Sequence, residues 1–338
     1  MQQEIAEWYV SAVAEALQGA SEADRAAQRG AAIRFGVRLA PDCEPMRRLN
    51  GEVPGKVKGS RTRWILVETQ RSRERRPALR KMAKQALKGV AKLEKAEPRP
   101  KDLHSSVEWT QGFKGGYGRI FGVTDAGEVK QTLRNAEAAF PFFAEAFGVG
   151  VRHFRGLTFY SFDLVASGNA FLAEQPGVTQ DYLKFVHSLA ALWIPKSNRV
   201  MIKSTQPLVR LEAGARQVTG AFLKSECNIT AKQGWAMEGF PLHLVWHITG
   251  TRLLNSVRRT QYGEKEEDVP DLSKRLKESD ADWMAEGRAL MKGRDRPDLR
   301  LVLGKSVNVL TPEDILYGYV LSVFLLEGHV DKLVDLLR

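Results

Sequence analysis

The sequence predicts an α+β domain preceded by a basic, mainly helical segment. Between residues 107 and 203, short stretches rich in β-branched and aromatic residues alternate with amphipathic stretches, and the chain beyond them is mainly helical in its spacing. Of the formal net charge of +11, residues 1–100 carry +9, from 21 Lys and Arg against 12 Asp and Glu. The proline pair in Glu97-Pro98-Arg99-Pro100 ends any helix that reaches it. We therefore predict a basic segment over residues 1–100 and a domain over residues 101–338.

The composition is typical of a soluble globular protein. The 338 residues are 43% hydrophobic and 27% charged, which is enough apolar material for a sizeable core. No apolar run is long enough to cross a membrane, and the first residues lack the basic start and apolar run of a signal peptide. We therefore expect a cytoplasmic protein with no membrane contact. Cys43 and Cys227 are too few to build a disulfide framework or a cysteine zinc site.

The N-terminal segment is predicted to contain amphipathic helices over residues 2–18, 21–30 and 71–95. The third carries ten Lys and Arg against two Glu, and its apolar residues recur at steps of three and four. Such a helix either packs its apolar stripe on a neighbour, or binds a phosphate backbone or an acidic surface. The second interpretation assigns nucleic-acid or polyanion binding to four of its residues, Arg75, Arg76, Lys81 and Lys84.

The first half of the domain is predicted to form a small sheet with helices between its strands. Strands are expected at residues 106–109, 118–123, 157–162 and 199–203, and helices at residues 126–147, 166–174 and 180–191. A glycine-rich stretch from Gly112 to Gly118 joins the first two strands. It has neither Gly-Lys-Ser/Thr nor the G-x-G-x-x-G spacing of a phosphate-binding loop, so a hairpin is favoured over a nucleotide site.

The second half is predicted to be helical around one apolar segment, Phe240-Pro241-Leu242-His243-Leu244-Val245-Trp246-His247-Ile248. Pro241 suits the first turn of a helix, so we predict a helix over residues 241–257. The remaining expected elements are a charged insertion at 258–282, a helix at 283–291, a strand at 301–303, and helices at 312–327 and 330–337.

The spacing of His243 and His247 is the strongest chemical signal in the chain. On a helix, residues four apart lie on one face, one turn from each other, and two imidazoles in that arrangement can share a zinc ion. On an apolar helix each ring could instead donate to a carbonyl in the core. The zinc-peptidase motif H-E-x-x-H carries its general base directly after the first His, and here that position is Leu244. From the spacing alone, a metal site and a pair of core histidines both remain open.

Two further motifs accompany the histidines, Trp283-Met284-Ala285-Glu286-Gly287 and an aromatic stretch from Tyr317 to Gly328. With these motifs, the region from Val107 to Leu337 resembles the gluzincin zinc metallopeptidases, particularly their bacterial peptidase-MA-like branch. The resemblance implies a zincin-like domain with a small mixed sheet and a helical zinc-site half. It also implies that His243, His247 and Glu286 are the zinc ligands, which leaves a fourth position for water.

The same resemblance implies a metallopeptidase-like hydrolase site without its usual base. In an active relative, zinc acidifies the bound water and the Glu after the first His takes its proton, and loss of a general base removes roughly 10²–10⁴ of rate. Leu244 cannot accept a proton. We therefore predict a pseudoenzyme that binds zinc and peptide with little or no hydrolysis. Three alternatives remain open. The first is an active zinc peptidase that uses a different general base, for which Glu238 is a candidate, with Tyr317 and Tyr319 as candidate oxyanion donors. The others are a nucleic-acid or polyanion-binding protein acting through residues 71–95, and an assembly component that keeps the fold for protein contacts.

Overall fold

The computed structural model describes residues 60–97, 106–149, 156–194, 197–253, 271–276, 281–292 and 299–329, together with residues 278 and 333. The helices predicted at 2–18 and 21–30, nearly all of the helix predicted at 330–337, and residues 258–270 of the predicted insertion lie outside the described residues.

The described part of the basic segment contains one long helix, α1 (Ser60–Gly89), that packs into the core. Its apolar stripe is buried, with Leu79 and Ala83 fully enclosed against the main hydrophobic cluster. The prediction that this stripe packs on a neighbour is confirmed. The helix ends at Gly89 and not at Lys95, because residues 94 and 95 form strand β1 (Glu94–Lys95) and join the sheet. The described part of the basic segment therefore shares the core of the residues that follow.

The sheet is mixed and has six strands in the order β1-β2-β3-β4-β6-β5. The remaining strands are β2 (Gln111–Lys114), β3 (Gly118–Gly122), β4 (Leu157–Phe162), β5 (Ala191–Trp193) and β6 (Arg199–Lys203). The three central strands β3, β4 and β6 pair in parallel, and the outer strands pair antiparallel. Every residue of β4 is buried, as expected for a strand covered on both faces.

Helices cover both faces of this sheet and confirm the α+β class. They are α2 (Ala126–Phe147), α3 (Val165–Ala173), α4 (Gln180–Val186), α5 (Pro207–Glu226), α6 (Gly234–Thr249), α7 (Asp271–Leu276), α8 (Trp283–Lys292), α9 (Leu299–Gly304) and α10 (Pro312–Gly328). The main core lies where α1, α2, α5, α6 and α10 meet one face of the sheet. A second cluster, built around Trp109, Tyr160 and Phe171, covers the other face.

The glycine-rich stretch is a hairpin, as predicted, since β2 and β3 pair antiparallel on either side of it. Its backbone N–H groups at Gly116 and Tyr117 donate to the carboxylate of Glu137 on α2, at 2.9 Å each. A Cβ at Gly115 would lie 2.4 Å from the Glu137 carboxyl carbon. Glycine is therefore required for the turn to approach this carboxylate.

Several predicted elements are wrong in type or extent. Residues 106–109 make no ladder, although Trp109 is buried in the second cluster. Residues 301–303 belong to helix α9 and not to a strand, because a three-residue apolar run has no measurable period. The helix predicted at 180–191 ends at Val186, since residues 191–193 form strand β5.

The histidine helix α6 also differs from its prediction. It begins at Gly234, seven residues before Pro241, and ends at Thr249, where Gly250 forms a left-handed cap with a φ of 75°. Pro241 therefore lies inside the helix. Glycines set how α6 meets α10: a Cβ at Gly239 would stand 2.2 Å from the carbonyl oxygen of Gly318, so the two helices cross in close contact. This crossing brings the end of α10 beside the histidines.

Candidate metal centre

Helix α6 places His243 and His247 side by side. Their ring centroids are 5.0 Å apart, and the rings are inclined at 78°. His243 is 2% exposed and His247 is partly buried, but all four ring nitrogens are out of solvent and none has a hydrogen-bond partner. The alternative in which each ring donates to a core carbonyl is therefore not observed.

Both imidazoles are neutral near neutral pH. Burial, together with the cations of Arg80, Arg252 and Arg76, lowers the pKa of His247 to about 4. Burial also holds the pKa of His243 well below its ordinary value, with smaller contributions from His247, Arg252 and Arg76. Neutral imidazole is the form that donates a lone pair to a metal.

Glu286 does not join the histidines. It lies on α8, where its two carboxylate oxygens accept from Nε and Nη2 of Arg275, both at 3.1 Å. The buried side of α8 is formed by Trp283, which packs on Tyr319, and by Gly287, which has no room for a Cβ beside Val320. Among the described residues, no three His, Cys, Asp or Glu side chains gather into a metal-binding group.

The carboxylate next to His243 belongs to Glu327 on α10. Its Oε1 lies 3.4 Å from His243 Nε2, but the geometry is not that of a hydrogen bond, and a neutral ring forms no ion pair. Both oxygens of Glu327 accept from Arg76, at 2.8 Å from Nε and 2.7 Å from Nη2. Sequence analysis missed Glu327. The available signal was an acidic residue inside the apolar run of α10, since a buried carboxylate needs a partner.

The residues considered as general bases or oxyanion donors do not lie together: they are in the core, in a separate cavity and beside the histidines. Leu244 is fully buried in the main core, and Tyr317 packs in the same cluster. Glu238 is held by Arg216 at 2.6 Å and lines a separate cavity beside α5. Tyr319 alone stands near the histidines, with its ring centroid 6.1 Å from that of His243. Burial raises the pKa of its hydroxyl.

A cavity of about 420 Å³ opens beside His243, and we call it the arginine cavity. Its lining includes four arginines, Arg76, Arg80, Arg252 and Arg288; three carboxylates, Glu278, Asp282 and Glu327; and four rings, His243, Trp246, Trp283 and Tyr319. Neither His247, Leu244 nor Glu286 reaches this lining. The wall of the cavity therefore presents guanidinium, carboxylate and aromatic groups, together with one imidazole.

The four residues predicted to bind polyanions divide into two pairs. Arg76 is engaged with Glu327, and Arg75 donates to the carbonyl oxygen of Ala146 at 3.0 Å. Lys81 and Lys84 are exposed on α1. Arg75 and Arg76 therefore bond to other groups of the protein, whereas Lys81 and Lys84 face solvent.

Comparison of the chain with protein-family models, with curated proteins and with solved structures returns no match. The resemblance to gluzincins therefore rests on the motifs of this chain alone. Within the described ranges, none of the helices combines the length and the apolar character needed to span a bilayer.

Proposed function

We propose that this chain is a degenerate, zinc-metallopeptidase-like protein that binds a peptide or protein segment in the arginine cavity and hydrolyses it little or not at all. The observation that carries this proposal is the state of the histidine pair. Two neutral imidazoles stand together without hydrogen bonds, one of them facing a cavity, while the residue in the position of the peptidase base is an apolar side chain in the core.

Zinc fits this site only in part. The two imidazoles are neutral, adjacent and have free lone pairs, which suits a pair of nitrogen ligands. Glu286, the implied oxygen ligand, is bound to Arg275, and both oxygens of Glu327 are taken by Arg76. The described residues therefore do not form the His₂Glu set, and zinc binding stays a prediction.

Poor hydrolysis follows from the protonation chemistry of the site. A general base works best when its pKa is near the working pH, and burial beside arginines lowers the pKa of His247 to about 4. Glu238 is occupied by Arg216 and lines a different cavity. Leu244, in the position of the peptidase base, is buried in the core and cannot accept a proton.

The proposal is tested by measuring binding and turnover on the same sample. Peptide binding is followed by fluorescence anisotropy with a labelled random peptide pool, and cleavage of that pool is followed by mass spectrometry, with EDTA and with added zinc. We expect binding without products under either condition. Zinc-dependent cleavage that is abolished by His243→Ala would overturn the proposal and favour the active-peptidase alternative.

A further inference from the structure

The arginine cavity contains a cation, Arg252, that has no anionic partner among the described residues. The guanidinium carbon of Arg252 lies 4.5 Å from the ring centroid of Trp246 and 5.0 Å from that of Tyr319. Its Nε is buried and has no hydrogen-bond partner, and no carboxylate of the described residues lies within ion-pair distance of it. Native proteins rarely bury a guanidinium without pairing it.

The position of Arg252 is set by the residues on either side of it. Thr251 donates its hydroxyl, and Leu253 its backbone N–H, to Glu212 Oε2 on α5, both at 2.8 Å. The loop is thereby fastened to α5 just after the left-handed cap at Gly250. Arg252, between the two anchors, lines the cavity, and two rings hold its guanidinium. The cation is therefore held in place before any ligand binds.

A second cation stands close by. The guanidinium carbon of Arg80 on α1 lies 5.4 Å from the same Trp246 ring. Arg80 is exposed to solvent and forms no hydrogen bond or ion pair with the described residues. Arg76, in contrast, donates two hydrogen bonds to the carboxylate of Glu327. Two guanidinium groups thus contact the Trp246 ring, and neither has an anionic partner among the described residues.

We propose that Arg252, assisted by Arg80, binds the carboxylate of an acidic side chain of a peptide ligand in the arginine cavity. The inference rests on the proposed function for the peptide, and on the unpaired arginines for the acidic group. A planar guanidinium donates two parallel hydrogen bonds to a carboxylate, and stacking on aromatic rings leaves its edge free to do so.

The charge of the cavity favours a single carboxylate over a nucleic-acid backbone. Its four arginines face three carboxylates, so the lining has a formal charge of only +1. Asp282 caps α8 by accepting from the N–H groups of Met284 and Ala285, and Glu278 also lines the cavity. A row of phosphates would meet these acids, whereas one side-chain carboxylate needs only the region of Arg252 and Arg80.

The experiment compares two labelled random peptide pools that differ only at a central position, fixed as Glu in one and as Gln in the other. Binding to the full chain is measured by fluorescence anisotropy. Variants are Arg252→Gln, Arg252→Lys and Arg80→Gln, and Lys184→Gln on α4 is the control that removes one exposed charge outside the cavity. Thermal melting confirms that each variant is folded, and Arg80→Gln, at an exposed position, remains informative if Arg252→Gln melts early.

We expect the Glu pool to bind at least about tenfold more tightly than the Gln pool, and this preference to disappear in Arg252→Gln and weaken in Arg80→Gln and Arg252→Lys. Lys184→Gln should keep it. Equal binding of both pools, or a preference that survives Arg252→Gln and Arg80→Gln, overturns the inference and leaves the proposed function standing. Binding of neither pool defeats the proposed function as well. Arg252-dependent binding of a labelled oligonucleotide in place of the peptides would refute the peptide assignment and indicate a phosphate ligand.

Discussion

Arg76 on helix α1 holds the buried carboxylate of Glu327 on helix α10 through two hydrogen bonds of 2.8 and 2.7 Å, across 251 positions of sequence. The same carboxylate lies 3.4 Å from His243. A residue of the basic helix therefore neutralises the acid nearest the histidine pair. The basic segment and the histidine site are parts of one arrangement, and changes in α1 should affect both stability and the site.

Loss of the Arg76 side chain should destabilise the fold. Arg76→Ala leaves the 1% exposed Glu327 side chain charged and without its partner. Removing one member of a fully buried pair costs about 3–5 kcal/mol, and because Arg76 is 44% exposed we expect about 2–3 kcal/mol. Urea unfolding of the variant against the parent measures this difference. Lys81→Ala, on the exposed face of the same helix, should change stability by less than about 0.5 kcal/mol. If Arg76→Ala lowers the free energy of unfolding no more than Lys81→Ala does, the Arg76–Glu327 pair contributes nothing to stability.

Restoring the peptidase base should harm the protein and not activate it. Leu244 is fully enclosed in the main core, so Leu244→Glu buries a carboxylate among apolar side chains. We expect a loss of about 4 kcal/mol or more in unfolding free energy and no gain in zinc-dependent peptide cleavage. The matched control is Leu244→Met, which conserves volume and should cost less than about 1.5 kcal/mol. A stable Leu244→Glu variant that cleaves peptides would show that the base alone was missing.

Zinc occupancy should depend on the histidines and not on Glu286. Two imidazoles without a third protein ligand bind zinc weakly, so we expect zinc to be removed readily by EDTA and to be lost in His247→Ala. Glu286→Gln should leave the zinc affinity unchanged, because that carboxylate is bonded to Arg275. Isothermal titration with zinc, supported by metal analysis, gives both comparisons. A fall in affinity on Glu286→Gln would restore the three-ligand set implied by the resemblance.

The buried lysine at the end of β6 should make stability depend on pH. Lys203 is fully buried, and its ammonium donates to Asn169 and to the carbonyl oxygens of Val186 and His187. Burial lowers its pKa from 10.5 to about 8. Between these two values the unfolded chain holds the proton that the folded chain has lost, so this group adds stability as pH rises, on the order of 1–3 kcal/mol.

Comparison with a variant isolates this contribution from other groups that titrate at high pH. The free energy of unfolding of the parent should rise, relative to that of Lys203→Met, as the pH is raised from about 8 to about 10. Lys184→Met, at an exposed position, should follow the parent. A difference between parent and Lys203→Met that stays constant over this range would contradict the lowered pKa.

Polyanion binding by α1, if present, should depend on the two lysines. Because Lys81 and Lys84 are exposed while Arg75 donates to the Ala146 carbonyl oxygen, neutralising the lysines should lower the salt concentration that elutes the protein from heparin. The double variant Lys81→Gln, Lys84→Gln is compared with Lys184→Gln, Lys232→Gln, which removes the same charge elsewhere. Equal elution of the two double variants would rule out α1 as a specific binding surface.

The helix bounds that the sequence predicts correctly are those set by local signals. Helix α2 runs over residues 126–147 as predicted, since the Asp125 side chain caps its first turn and Gly148 ends it with a φ of 63°. Helix α10 begins at Pro312 because Thr311 and Asp314 form a capping box. Each of these signals is decided by residues within a turn of one another, so no distant contact can alter it.

The sequence by itself determined the α+β class, the hairpin, these helix bounds and the fact that His243 and His247 share a face. Only the tertiary structure decided what surrounds them. Glu327 and not Glu286 lies beside His243, Arg76 pairs with Glu327, and Arg252 stacks on two rings without an anionic partner among the described residues. The physical reason is that a charged side chain takes the partner that the packing of distant elements brings within about 3 Å. Periodicity fixes the face on which a residue lies, but it carries no information about the helix that will cover that face.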